Sequence, residues 1–568
     1  MAPRTARLVL DIRDEEGRPL PCRVDWWEQA TGFPVYRVWS GTGEVDFEVP
    51  AAALSLLVRR GFDYDAVALD LDLSGRWEEV REVILRRRFD ARALGWHGGE
   101  NHLHVLHAPQ DETRTIADAG PMAEAEGLDY IQLAHGWDPS FAWLPVEELE
   151  QQCRTASTGR VRVGWNIEAK TYMGPDHGGR EGNLHCFGHG WTAGLKGHAP
   201  GQAFFHTGPM FRIIQEVRRQ GGAMGCAHPT RFWFVRGNFV SNWPSELPFD
   251  FVAGAPYDAV DVLNDSPLVF AESLRFWYTL LNLGYKVAGT ANTDGHLAAA
   301  TGLGRYRTYV HIEGSFSWEG LVAALRAGRA VASSGPFVLF EVEGHLPGAE
   351  FPADGRQRRV SLKAWSSPLP GETLTAVQLV RNGEVVRAWD LRAEQTRYWE
   401  IGFEIAETEF AWYCAQVLST CRDPGGQSWG PHAQERAVAN PVYFLPSGFA
   451  RPAPTPAQLS LSVCDPVGRP LAALVSILDG WIAVGEESVP ASGQIALILP
   501  ATASLSISAS GHQTAERTLY LDCPELCEYC RDLGAVWPSF FSPEPYLELR
   551  RRLDRLRLKV VLQPADRQ

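Results

Sequence analysis

The chain has no run of about 18 uninterrupted apolar residues, the length a membrane-crossing helix needs. Near the N-terminus the only apolar stretch, Leu8 to Ile12, is broken by Asp11 and followed by charges, too short for the core of a secretion signal. Both absences predict a soluble, cytoplasmic protein. A basic surplus is missing too: 53 Lys and Arg against 68 Asp and Glu give a formal net charge of −15, with a pI near 5.6. Nucleic acid and anionic membranes are held by basic surfaces that displace counterions, so neither is an expected partner. Ten cysteines in 568 residues are too few for a disulfide scaffold, and those at 22, 153, 186, 226, 414, 421 and 464 follow no framework spacing. Cys523, Cys527 and Cys530 stand apart, because three soft ligands so close in sequence can share a zinc ion or an iron–sulfur cluster. Buried structural thiols are the plainer reading.

What is present is ordinary globular material, 45% apolar and 21% charged, long enough for several buried cores. Two segments near opposite ends resemble each other: RLVLDIRDEEGRPLPCRVDWW from Arg7 and QLSLSVCDPVGRPLAALVSIL from Gln458. Each alternates apolar and polar residues into a Gly-Arg-Pro-Leu turn and then resumes a strand. A second apolar stretch follows in both, from Ala53 and from Ala503. This predicts an internal duplication of a small β-sandwich resembling transthyretin-like or carboxypeptidase-regulatory domains.

From about Arg92 the texture changes. DYIQLAH, VRVGWNIE, GAMGCAHP, AVDVLND and YKVAGTANTDGH are apolar runs ending in polar residues. Helical patterns over 146–156, 210–220, 267–283 and 316–327 separate several of them. Such alternation predicts an α/β parallel sheet, for which a barrel is the economical closure. After about Pro336 the sequence turns β-rich, with a hairpin expected at Asn382-Gly383.

Metal-binding residue types cluster at the ends of these runs. In Glu100-Asn-His102-Leu-His104 the two imidazoles are two residues apart, so an extended chain points both to one face. His135 closes one run, Glu168 the next, His228 another, and Asp294-Gly-His296 follows the last, while His185 lies in a long Gly-rich segment. In a parallel barrel the strand C-termini converge on one mouth. Imidazole and carboxylate there suit zinc, iron or manganese. A lone histidine is more often a hydrogen-bonded structural residue, but independent structural histidines have no reason to fall at successive strand ends.

These motifs resemble the PHP (polymerase and histidinol phosphatase) metallohydrolases. Glu100-x-His102-x-His104 matches their opening Asp-x-His-x-His except for the acid. His135, Glu168, the Ala-His-Pro at His228, and Asp294 with His296 match the later motifs. His185 after the Glu, and Ala439-Asn-Pro-Val-Tyr443, resemble the CehA/McbA branch, named for carbaryl hydrolases. The resemblance spans about Arg92 to Leu445. It implies a distorted (β/α)7 barrel at 91–336, which the duplicated modules would flank at both ends as all-β sandwiches. Residues 1–90 would form the first sandwich, 337–448 a β-rich domain closing the barrel region, 449–457 a linker, and 458–568 the second sandwich with its Cys-rich tail. It further implies two or three divalent ions. His102, His104, Glu168 and Asp294 would hold the first; Glu168, His185 and His228 the second; His135 and His296 a third, with His107, Gln110 or Asp111 as substitutes for its missing histidine.

A metal-bound hydroxide would then cleave an ester, carbamate or phosphoester, since such ions acidify water and stabilise developing negative charge. His135 or His296 would donate a proton to the leaving group, and Arg231 would pair with an anionic substrate group or form an ordinary ion pair. Trp137, Trp191 and Trp233, beside the ligands, are expected to wall a pocket for a small, aromatic or sugar-containing substrate. The competing reading is an inactive, metal-retaining barrel serving as a carbohydrate- or protein-binding scaffold.

Overall fold

The computed structural model describes residues 5–32, 35–105, 114–134, 144–172, 186–197, 205–207, 210–230, 232–235, 238–241, 247–264, 270–297, 302–420, 434–479, 482–535 and 542–565. No helix among them is long and apolar enough to cross a membrane.

The two end modules share one strand plan. In the first, Thr5–Asp14 lies between Glu44–Pro50 (antiparallel) and Glu78–Leu85 (parallel). In the second, Pro456–Cys464 lies likewise between Gln494–Pro500 and Leu556–Val561. Each faces a four-stranded sheet of matching order: Tyr36–Ser40, Cys22–Glu28, Ala53–Arg59, Val67–Asp72 in one, and Ile482–Val489, Ala473–Asp479, Ala503–Ser508, Ala515–Thr518 in the other. The Gly-Arg-Pro turns are built alike. Asp14 Oδ1 accepts from the amides of Glu16 and Arg18 at 3.0 and 2.9 Å, and Oδ2 from Arg18 Nε at 2.7 Å. Asp465 accepts from Val467 N, Arg469 N and Arg469 Nε at 3.0, 2.8 and 2.6 Å. In the second module helices intervene before its last strand, among them Pro524–Ala535 and Glu544–Leu553. Their buried face continues the core of the central region, with the Phe249 and Tyr520 rings 4.6 Å apart.

Cys523 and Cys530 lie in that apolar core. Among the described residues, Cys523, Cys527 and Cys530 form no converging ligand group. Burial pushes the Cys523 thiol up to about 12.

In the central region the expected runs become the strands Tyr130–Ala134, Arg162–Asn166, Ala223–Ala227, Ala259–Leu263 and Ala288–Ala291. The helices Val146–Ala156, Phe211–Arg219, Phe270–Asn282 and Trp318–Ala327 fall within a few residues of the helical patterns. Trp318–Ala327 has the chemistry of a well-ended helix: Ser317 Oγ accepts from Gly320 N at 3.0 Å, and Gly328 closes it at φ 73°.

The described residues do not form the (β/α)7 barrel. Strands make up 46% of them against 18% helix, so the described structure is mostly β rather than α/β. The central strands divide between two sheets. One carries Arg162–Asn166, Tyr130–Ala134 and Trp96–His104 in parallel, then Arg307–His311 antiparallel to Trp96–His104. It continues through Ala330–Ser333 and Glu435–Ala439 into the C-terminal β-region. The other runs Phe205–Thr207, Glu168–Tyr172, Cys186–Ala193, Ala223–Ala227, Ala259–Leu263, Ala288–Ala291, with Cys186–Ala193 antiparallel to both neighbours. Closure fails for a physical reason: Tyr130–Ala134 and Arg307–His311 occupy both hydrogen-bonding edges of Trp96–His104. Only its last residues accept a further partner, Gly295–His296 beside Leu103 and His104.

The hairpin at Asn382-Gly383 forms, with φ 51° and 93°, joining Leu374–Arg381 to Glu384–Asp390. The stretch after Phe449 is tied down, since Arg451 Nη1 donates to Gly284 O at 2.8 Å and Thr455 N to Val252 O at 2.9 Å.

Candidate metal centre

Parallel strands bring their C-terminal ends to one side whether or not the sheet closes, and here two part-parallel sheets do so face to face. Trp96–His104 is buried along its whole length and delivers His102 and His104 at its end. A register irregularity between Glu100 and Leu103 bulges the strand where the ligands begin. Glu168 opens its strand opposite Trp191. His228 follows Ala223–Ala227 directly, and Asp294 lies three residues past Ala288–Ala291.

His102, His104, Glu168 and Asp294 place one ligand atom each within 4.8 Å of one another. His104 Nε2 lies 2.9 Å from Asp294 Oδ1 and 3.5 Å from Glu168 Oε2. His102 Nε2 lies 3.2 Å from the same Asp294 oxygen and 3.7 Å from Glu168 Oε1. His228 joins from the side, 3.6 Å from Glu168 Oε1 and from Asp294 Oδ2. His296 is half-buried, its ring 5.2 Å from that of His104. His135, His185 and Arg231 lie outside the described residues, as do His107, Gln110 and Asp111.

The donor set fits a divalent cation. Both ring nitrogens of His102 are buried without a hydrogen-bond partner among the described residues, although carboxylates surround Nε2. Nitrogen and oxygen atoms from separate segments facing one point are what an ion between them needs. Burial opposes charge on His102, but Asp294 and Glu168 prevail and raise it to about 9. Burial dominates at His104 and lowers it. His228 and Asp294 hold positive-φ backbone, 29° and 48°, a region uncommon for residues other than glycine.

Glu100 stands outside this set. Its Oε1 accepts from Thr293 N at 2.5 Å and Thr293 Oγ1 at 2.6 Å, holding the residue before Asp294. Burial pushes its carboxyl up to about 8.

Beneath the ligands lies a buried polar layer not singled out from sequence. Asn101 N donates to Asn292 Oδ1 at 2.8 Å, Asn292 Nδ2 to Asp261 Oδ1 at 2.6 Å, and Asn166 Nδ2 to Asn101 O. Trp191 belongs to this layer rather than to a pocket wall: it is fully buried, and its Nε1 donates to Asp261 Oδ1 at 3.1 Å. The signal available was a polar residue inside an apolar strand, as in AVDVLND. Trp137 and the Trp233 side chain lie outside the described residues.

The Ala439-Asn-Pro-Val-Tyr443 motif acts from behind. Asn440 Oδ1 accepts from Gly289 N at 2.8 Å, and its Nδ2 reaches Gly289 O at 2.8 Å and Ala330 O at 2.9 Å. The C-terminal β-region thereby grips the strand that leads to Asp294.

No family model and no curated protein matches the chain. Solved structures that align with it include the major pilin subunit of Bacillus cereus, at 9% identity over 33% of this chain and 64% of the pilin, with a TM-score of 0.13. The alignment thus spans less than two thirds of that pilin. An adhesin from Mobiluncus mulieris aligns at 10% identity over 31% of this chain and 81% of its own, with a TM-score of 0.12. A glycosyl hydrolase family 2 member from Bacteroides cellulosilyticus aligns at 9% identity over 88% and 74%, with a TM-score of 0.13. Scores this low establish no common fold with any of the three.

Proposed function

We propose that the chain is a metal-dependent hydrolase that cleaves an ester, carbamate or phosphoester, as its motif resemblance to the PHP metallohydrolases implies. One observation carries the reading. Four side chains from three separated stretches of sequence bring imidazole nitrogens and carboxylate oxygens within 4.8 Å of one another, three of them buried and Asp294 nearly so. A packed core gains nothing from two carboxylates and two imidazoles in one spot, because each must be desolvated.

His102, His104, Glu168 and Asp294 would hold a divalent ion, zinc, manganese or iron. Glu168 turns one oxygen toward His102 and His228 and the other toward His104, so with His228 it would also serve an adjacent position. Such ions acidify a coordinated water and stabilise negative charge growing on a carbonyl or phosphoryl oxygen. His296, half-buried beside His104, is the described group suited to protonate a leaving group. His135 is its expected counterpart, and Arg231 the expected partner of an anionic substrate group.

The test is elemental analysis of purified protein beside hydrolysis of aryl esters, carbamates and phosphomonoesters. The reading expects bound metal and chelator-sensitive cleavage of one class, lost in a folded His104→Ala variant. Absence of bound metal after soaking with zinc, manganese or iron would sink it.

A further inference from the structure

Asp261 is a carboxylate in an expensive place. It sits at the centre of the strand Ala259–Leu263, 1% exposed, among Val260, Val262 and Leu263. A buried carboxylate costs several kcal/mol unless donors surround it, and an apolar residue of similar size would fill the space at less cost. Three donors converge on its Oδ1: Asn292 Nδ2 at 2.6 Å, Thr290 Oγ1 at 2.8 Å and Trp191 Nε1 at 3.1 Å.

The first of these bonds leads to the ligands. Asn292, held at its amide, turns its Oδ1 to accept from Asn101 N at 2.8 Å and from Asn101 Nδ2 at 3.2 Å. Asn101 immediately precedes His102, and Asn292 lies two residues before Asp294. On its other side Asn101 O accepts from Asn166 Nδ2, two residues before Glu168. One chain of hydrogen bonds therefore ties together the three backbone segments that carry His102, Glu168 and Asp294, and Asp261 anchors it.

We infer that Asp261 is a positioning residue for the metal centre: through Asn292 and Asn101 it fixes the spacing of His102 and Asp294. The inference rests on the metal reading proposed above. Partners behind a metal's direct ligands alter affinity by roughly 10- to 100-fold when removed.

The test titrates cobalt(II) into chelator-stripped full-length protein, wild type against Asp261→Asn, with thermal unfolding of both metal-free proteins alongside. Asn keeps the size of the side chain but replaces the charge-assisted bond that holds Asn292 with a weaker, neutral one. The expected result is cobalt binding weakened about 10-fold or more, a changed cobalt d–d spectrum, and a metal-free melting temperature equal to or above wild type. A residue that merely supports the fold would lower the melting temperature and leave the spectrum of the bound ion alone. Trp191→Phe, which removes one donor but spares the Asn292 path, should weaken binding less. Equal affinity and an unchanged spectrum in Asp261→Asn would overturn the inference while leaving the metal reading intact. No binding of cobalt by wild type would instead remove the metal reading, and this inference with it. If Asp261→Asn does not fold, Asn292→Ser cuts the same path and is judged by the same two readouts.

Discussion

His104 Nε2 and Asp294 Oδ1 lie 2.9 Å apart across 190 residues of chain. They are far apart in sequence: one ends a strand of the first sheet, and the other lies in the turn between the last strand of the second and Gly295–His296, which pairs with Leu103 and His104. Their meeting is a property of the whole central region, so an ion held between them should act as a tether across the unclosed seam. A ligand that binds only the folded state stabilises it by about 2.7 kcal/mol at a free concentration 100 times its Kd. Zinc or manganese is therefore expected to raise the unfolding midpoint of chelator-stripped protein, and His104→Ala to abolish the rise. A midpoint indifferent to metal, or a rise that survives His104→Ala, would count against a centre at these residues.

Glu100 carries the acid of the opening motif on a side chain one methylene longer than the Asp that the resemblance leads one to expect. It reaches Thr293 with both bonds of its Oε1. Replacing it with Ala strands a buried amide and a hydroxyl and leaves a cavity, which together cost about 2–4 kcal/mol. Glu100→Gln retains an acceptor and should stay within about 1 kcal/mol of wild type. Urea unfolding of the metal-free proteins measures both. Similar losses in the two variants would show that the Thr293 bonds are not what Glu100 contributes.

The duplicated turns give a pH prediction. Burial works against charge on Asp14 and Asp465, but the amide and guanidinium bonds from Arg18 and Arg469 outweigh it and hold both carboxyls below the ordinary 3.8. Because the folded-state value is the lower one, the unfolded chain binds more protons in acid. The stabilisation is complete above the ordinary value and disappears as pH falls through the depressed one. The double variant Asp14→Asn, Asp465→Asn should melt below wild type at pH 7, with the gap closing as pH falls below the ordinary carboxyl value of 3.8. Calorimetry from neutral to acid pH checks this, and a gap independent of pH would mean that the carboxylate charge is irrelevant to these turns.

The candidate site was more legible in the sequence than the fold around it. His228 and Asp294 each follow an apolar run, a strand end being a local property that a run of Val, Ile, Ala and Gly announces, and the two-residue spacing of His102 and His104 puts both on one face of an extended chain. Which strand pairs with which is not local. Nothing in RTYVH states that it will lie antiparallel to Trp96–His104 and take the edge a barrel would need. The antiparallel Cys186–Ala193 is equally silent, because alternation and apolarity are the same in either direction. Trp191 misled for a related reason: proximity in sequence to His185 suggested a pocket wall, whereas its indole N–H is spent on Asp261. The Gly-Arg-Pro segments were readable as turns between strands, but not the Asp14 and Asp465 bonds that build them.

Asn440 offers the last prediction, and it links the C-terminal β-region to the chemistry. Its side chain bonds both backbone groups of Gly289 and the carbonyl of Ala330, all buried. Those bonds hold Ala288–Ala291 against the sheet that continues toward the C-terminus, and Asp294 follows three residues later. Asn440→Ala leaves an amide and two carbonyls without these partners, at about 1–3 kcal/mol for the first and less for carbonyls that keep another bond. A loss of about 2–4 kcal/mol is expected, so the variant should remain folded at low temperature. With the strand released, Asp294 loses its fixed distance to His104, and metal affinity should fall together with stability. Asn440→Asp separates the two effects: it keeps an acceptor for Gly289 N but sets an anion against two carbonyls, so it should be at least as damaging as Ala. Metal titration and urea unfolding of both variants decide the matter. Full metal affinity in a destabilised Asn440→Ala protein would show that the ligand set is held by its own sheet and owes nothing to the C-terminal region.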